Sequence, residues 1–309
     1  MPAPTLFLND FTVLDYAFVG NHGGIFGGSY FVSVELEGEL DAKDFLLDFG
    51  PAKKLLKKLV DDSFDHKLLV PAGGGKARVA GAGLEIEGEN GGPGWSYECP
   101  REAYELFPDA AIDAGVLEYH LGRLAKAALP ANVKAARFRL SAPARLEHEA
   151  SFRYTHGLRF HDGNCQRLFH GHRNPVEVWV EGARSPEWEA ILASEWSDAH
   201  FVALPTLLNL KELDLPLGRR RARHEGVAEV EYCSAQGRFR AKLPAARVVL
   251  VEREPSIEKM AELGASVLRE LGLKGNLRVV AYEGLNKGAS WSSGLSRVAN
   301  VSKNESSGF

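Results

Sequence analysis

Cysteine is scarce in this 309-residue chain: Cys99, Cys165 and Cys233 are its only thiols. An odd and widely spaced set builds no disulfide framework and points to a reducing compartment, with the cytoplasm as the expectation. A surplus of one charge is also lacking. The 37 Lys and Arg against 41 Asp and Glu leave a net charge of -4, which gives no reason to expect a nucleic-acid partner. No apolar run is long enough to cross a bilayer, and Met1-Pro-Ala-Pro-Thr5 lacks the basic and apolar regions of a signal peptide. Neither a membrane partner nor secretion is therefore expected. What is present, 45% hydrophobic and 25% charged residues, is ordinary globular composition, and the length favours two domains.

The most informative stretch is Cys165-Gln-Arg-Leu-Phe-His170-Gly-His172, followed by the strand-like Val176-Glu-Val-Trp-Val180. On a strand, side chains alternate faces, so His170 and His172 point the same way and can share a cation. His156, in Phe152-Arg-Tyr-Thr-His156, is the nearest third ligand. Three neutral imidazoles leave one position of a tetrahedral zinc open, the arrangement of catalytic rather than structural sites. Taken singly, a His-x-His is usually two half-exposed strand residues and a lone Cys a buried apolar one. The combination is what argues for metal.

Along the chain, Phe7 to Phe18 and Tyr30 to Gly38 read as strands. Asp48-Phe-Gly-Pro51 opens a helix whose Leu55, Leu56, Leu59 and Val60 line one face and whose lysines line the other, ending near Asp65-His66. A Gly-rich region from 71 to 100 holds at most a hairpin, Val79 to Glu87. A second helix is expected over 113–129, stopped by Pro130, then a strand over 133–141. A second series follows: strands over 150–156 and 176–182, an irregular Trp-bearing segment over 183–217, a hairpin of 227–232 with 238–243, and a strand over 246–251. A helix over 255–271 and a last strand over 277–283 complete it. The tail 302–309 is expected to be disordered.

The two series read as one unit repeated, divided as 1–147 and 148–309. Phe18-x3-His22 matches Phe152-x3-His156, the strand ending at Gly38 matches that ending at Gly182, and Asn132 matches Asn276. Stepping back from the two glycines pairs His170 with Phe26 and His172 with Gly28, while Glu283 pairs with Arg139. On this alignment the first copy keeps one of three candidate ligands, His22, and builds no metal site.

These residues resemble the 6-pyruvoyltetrahydropterin synthase / 6-carboxytetrahydropterin synthase family, zinc enzymes of the tunnelling fold. The family's early His, Cys and His-Gly-His match His156, Cys165, His170 and His172, and its final Glu matches Glu283. Its Asp-Phe at a helix start and Asp-His at the helix end match Asp48-Phe49 and Asp65-His66, which lie in the other copy. The resemblance implies an α+β fold of tandem duplicated tunnelling-fold units, antiparallel sheets with helices on one face, closing into barrels on homo-oligomerisation. It implies zinc on His156, His170 and His172. It also implies a division of labour in which copy one supplies Asp65 and His66, and copy two supplies the metal, Cys165 and Glu283. The second copy's nearest equivalent of Asp-His is Asp198-Ala-His200, which makes His200 the rival of His66.

An open zinc site polarises a substrate oxygen, so a neighbouring C–H becomes acidic enough for a side-chain base. Cys165 as thiolate suits that role, Asp65 orients His66, and Glu283 can accept two parallel N–H bonds from an amino-pyrimidine edge. The implied substrate is 7,8-dihydroneopterin triphosphate or a close pterin. The implied product is a 6-substituted tetrahydropterin, 6-carboxytetrahydropterin first, in folate, biopterin or queuosine biosynthesis. Arg219-Arg-Arg-Ala-Arg223 could meet a triphosphate but reads first as a solvated loop. Trp188, Trp196 and Trp291 read as core before they read as pterin platforms. Two other functions stay open: a zinc-containing pterin- or purine-binding homologue without turnover, and a zinc hydrolase.

Overall fold

The computed structural model describes residues 3–293; the tail at 302–309 lies outside them. The first half runs β1 (Thr5–Val19), β2 (Ile25–Gly38), α1 (Phe49–Ser63), β3 (Leu68–Pro71), β4 (Ala77–Ala80), β5 (Gly83–Ile86), β6 (Trp95–Glu98), β7 (Tyr104–Phe107), α2 (Ala114–Ala128), β8 (Val133–Ser141) and the short α3 (Arg145–His148). The second runs β9 (Ser151–His156), β10 (His170–Val180), β11 (Ala183–Arg184), α4 (Pro186–Trp196), β12 (Ala199–Ala203), α5 (Leu210–Leu213), β13 (Val227–Ser234), β14 (Gly237–Pro244), β15 (Val248–Val251), α6 (Ile257–Glu270), β16 (Leu277–Tyr282) and β17 (Gly288–Ser292).

The duplication is explicit in the topology. One sheet has the order β7-β3-β1-β2-β8; the other repeats it as β15-β12-β9-β10-β16 and adds β17. In each, the central strands pair antiparallel and two strands join one side in parallel. Local geometry repeats as well. His66 and Asp198 both carry positive φ, 54° and 55°, and their N–H groups donate to Asp15 O and Arg153 O at 2.7 Å each. Insertions from both halves, β4-β5-β6 and β13-β14, combine into a third sheet through the β6–β14 ladder.

Helices α1 and α2 cover one face of the first sheet, and α4 and α6 one face of the second. Asp48 caps α1 by accepting from Gly50 N, and Asp113 caps α2 by accepting from Val116 N. Leu56 and Val60 of α1, with Leu117, Leu121 and Ala125 of α2, are buried in one cluster with Val32 and Val34. Met260, Ala261, Val267 and Leu268 of α6 pack likewise with Val176, Val178 and Val279. Each large apolar side chain buried here contributes roughly 1.5–3 kcal/mol.

The segment expected to be irregular contains α4 and β12. Buried positions 189, 192, 193 and 196 of α4 follow helical spacing, but the first is Glu189, which disguises the period. Its carboxylate is neutralised by Arg184 at 2.7 Å and accepts from Val178 N at 3.1 Å. Trp196 is core, its indole N–H donating to Gly218 O at 2.9 Å, while Trp188 and Trp291 pack at the edge of the same cluster.

The two halves meet at Gly27 and Gly171, which are counterparts in the repeat. A Cβ built on Gly171 would lie 2.5 Å from Gly27 Cα, and one on Gly27 would lie 2.6 Å from His172 N. Only bare backbone fits there, so β2 crosses directly against β10 and brings the first half to the histidines of the second. No helix among the described residues is long and apolar enough to cross a membrane.

Candidate active site

His156 ends β9 and His170 opens β10, directly opposite each other in the ladder; His172 follows opposite Tyr154. All three imidazoles are fully buried. Each Nδ1 is turned away to an anchor: His156 to Pro255 O at 3.0 Å, His170 to Arg167 O at 3.0 Å, and His172 to Asp15 Oδ1 at 3.2 Å. The last is a close contact of the carboxylate with the ring nitrogen that falls short of a fully aligned hydrogen bond. The Nε2 atoms are left for the centre. His156 Nε2 and His172 Nε2 stand 3.3 Å apart, and His170 Nε2 is buried with no hydrogen-bond partner among the described residues.

Burial, reinforced by the neighbouring histidines, pushes His156 down to about 3 and His170 well below the ordinary histidine range. Imidazoles whose Nε2 atoms converge and whose other nitrogens are anchored are the donor set a divalent transition metal requires. The residues fit a zinc ion. Glu283 brings a carboxylate oxygen into the same cluster, all four ligand atoms lying within 4.8 Å of one another.

Cys165 is buried in the turn before β10. Its sulfur, a His66 nitrogen and a His170 nitrogen form a second group within 4.8 Å. His66 stacks on His170 with ring centroids 5.1 Å apart, and its Nδ1 lies 2.5 Å from Asp65 Oδ2. Burial draws the His66 imidazole down, but the Asp65 carboxylate outweighs it and holds the group well above the ordinary range, with Cys165 adding to the rise. The His66 backbone is clamped by Asp15 O on one side and by Arg167 Nη1, 3.3 Å from its carbonyl, on the other. A cavity of about 280 Å³ adjoins the group, bordered by Thr12, Asp15, Asp65, His66, Glu283 and Lys287.

All seven residues singled out from sequence therefore converge, from both halves of the chain. His200 does not join them: it is buried, its Nδ1 bound to Thr155 Oγ1 at 2.7 Å and its ring against Phe169. The Arg219–Arg223 run pairs elsewhere, Arg219 with Glu195 and Arg221 with Asp214. Sequence reasoning missed Asp15 and Ser29, which lie outside the motif, and the part played by Arg167 within it: Asp15 and Arg167 contact the histidines and Ser29 holds Asp15.

The strand register corrects the alignment of the copies. Phe18 lies opposite Phe26 as His156 lies opposite His170, so the counterpart of His156 is Phe18 and not His22. None of the three ligand positions is a histidine in the first half. Likewise Val32 pairs with Leu140 as Val176 pairs with Ala281, which makes Ala142, not Arg139, the counterpart of Glu283. At the counterpart site the Phe18 and Phe26 rings pack 5.8 Å apart, Arg153 lies over Phe26, and its Nε binds Asp198 Oδ1 at 2.7 Å. Asp198 stands where His66 stands in the first half, and His200 where Leu68 does.

A family model described as 6-pyruvoyl tetrahydropterin synthase matches residues 12–77 and 145–291, more than half of the chain. Among solved structures, the 6-pyruvoyl tetrahydropterin synthase of Plasmodium vivax is 14% identical, over 47% of this chain and 94% of that one, with a TM-score of 0.39. That of Plasmodium falciparum is 14% identical, over 46% of this chain and 92% of that one, with a TM-score of 0.38. No curated protein matches.

Proposed function

This chain belongs to the 6-pyruvoyl tetrahydropterin synthase family, and we propose that it is a zinc-dependent pterin synthase or lyase acting on 7,8-dihydroneopterin triphosphate or a close analogue. The proposed product is a 6-substituted tetrahydropterin, with 6-carboxytetrahydropterin preferred. The observation that supports this reading is the meeting of two half-sites: three imidazoles, Cys165 and Glu283 from 148–309, and the Asp65–His66 pair from 1–147.

His156, His170 and His172 would hold the zinc, which when bound supplies Lewis-acid polarisation of a substrate oxygen. Cys165 takes the proton from the carbon beside that oxygen. A cationic imidazole next to a thiol favours the thiolate, and His66, held charged by Asp65, is placed to do so, then to give its own proton to the substrate and to regain one from the Cys165 thiol. Burial would raise the Glu283 carboxyl, but the cationic groups around it, Lys287 and His66 among them, outweigh this and hold it below the ordinary range. It is thus an acceptor for the paired N–H groups of a pterin, at the edge of the cavity beside His66.

We assign a cytoplasmic location and a homo-oligomer in which the outer strands of each sheet find partners on other chains. Incubating the zinc-loaded chain with 7,8-dihydroneopterin triphosphate and following tetrahydropterin formation tests the reading. Saturable binding with no product would instead identify a pterin-binding homologue without turnover.

A further inference from the structure

We infer that Asp15, which lies outside every motif of the chain, is a positioning residue that fixes the metal ligand His172 and ties it to the Asp65–His66 pair. The inference rests on the metal-binding reading above. Asp15 belongs to β1 of the first half, while His172 belongs to β10 of the second. The Asp15 carboxylate is buried, 3.2 Å from His172 Nδ1, and is held in that rotamer by Ser29 Oγ–H donating to Oδ1 at 2.5 Å. A carboxylate on Nδ1 keeps the proton there, leaves the Nε2 lone pair for a metal and fixes the ring plane.

The same residue carries the other half-site on its main chain. Its N–H donates to Asp65 Oδ1 at 2.9 Å, and its carbonyl accepts from His66 N–H at 2.7 Å. The His66 backbone sits in the left-handed region at φ 54°, a conformation an ordinary residue keeps only where its surroundings impose it. The turn bearing the anchor Glu283 is fitted to Asp15 too: Gly284 has φ 73°, and a Cβ there would lie 2.5 Å from Asp15 Oδ2. The repeat supplies an internal control. At the counterpart position stands Arg153, which pairs with Asp198 over Phe26 and faces no histidine ligand. Acid at position 15 thus accompanies the half-site that needs it, and the counterpart pair has become a plain ion pair.

The test is zinc affinity of the full-length apoprotein, measured by competition with a chromophoric chelator, for the unsubstituted chain, Asp15→Asn and Ser29→Ala. Asp15→Asn keeps shape and removes the charge, and the expected loss is about 10- to 100-fold. Ser29→Ala leaves the carboxylate charged but unheld, and the expected loss is about 2- to 10-fold. The kcat of the loaded Asp15→Asn chain should fall while KM stays near that of the unsubstituted chain. Zinc affinity of Asp15→Asn within twofold of the unsubstituted chain overturns the inference. Should Asp15→Asn not fold, unchanged affinity in Ser29→Ala overturns it. Absence of zinc binding by the unsubstituted chain would instead overturn the metal reading itself.

Discussion

His66 and His170 come from opposite halves of the chain and stack with their ring centroids 5.1 Å apart, 26° from parallel. On the proposed assignment, each half alone lacks part of the catalytic set. Replacing His66 by Ala should lower kcat by about 10²- to 10⁴-fold, the usual contribution of a positioned acid–base group. His200→Ala should leave kcat within a few fold. Steady-state turnover of both variants checks this, and full activity in His66→Ala would reject the assignment.

His200 contributes to acid stability instead, as the buried His156 and His170 do. Burial pushes its imidazole down to about 3 in the folded chain, against about 6.5 when unfolded. Between those values the unfolded chain binds a proton that the folded chain does not. Stability from this group is complete above pH 6.5 and falls as pH drops toward 3, by up to about 1.4 kcal/mol per pH unit. Urea midpoints measured from pH 7 to pH 4 should fall less steeply in His200→Gln than in the unsubstituted chain. Equal slopes would show that His200 does not titrate in this way.

The Gly27–Gly171 crossing should tolerate no side chain. Gly27→Ala places a Cβ 2.6 Å from His172 N and O, and backbone on both sides must move. The expected cost is about 3 kcal/mol, at the upper end of overpacking penalties, together with weakened zinc binding because His172 itself shifts. Equilibrium unfolding and zinc titration of this variant measure the two effects. A stability change under about 0.5 kcal/mol, the range of neutral surface substitutions, would contradict the close contact.

Zinc should also stabilise the fold by mass action. At a free concentration 100 times its Kd, a ligand bound only by the native state adds about 2.7 kcal/mol. Thermal unfolding with and without zinc should show a rise in midpoint that disappears in His170→Ala. An equal rise in that variant would place the ion elsewhere.

Much of this was legible in the sequence because it is written locally. His170 and His172 are two residues apart on one strand face, and Asp65-His66 follows its helix directly. The register of the copies was not, since Phe18-x3-His22 imitates Phe152-x3-His156 while the ladder puts Phe18 opposite Phe26. Helix α4 was hidden by a buried Glu189 that Arg184 and the Val178 N–H, both from neighbouring strands, make tolerable. Asp15 gave no signal because its partners Ser29, Asp65 and His172 are brought to it by three different elements.

Metal content per chain tests the central claim most directly: one catalytic zinc site for two copies of the unit. Elemental analysis of the purified full-length chain, after zinc loading and removal of excess metal, should give about one zinc per chain, and His170→Ala should give close to none. Two zinc ions per chain would mean that the Phe18–Phe26 half also binds metal, and none in the unsubstituted chain would mean that the three imidazoles do not form a zinc site.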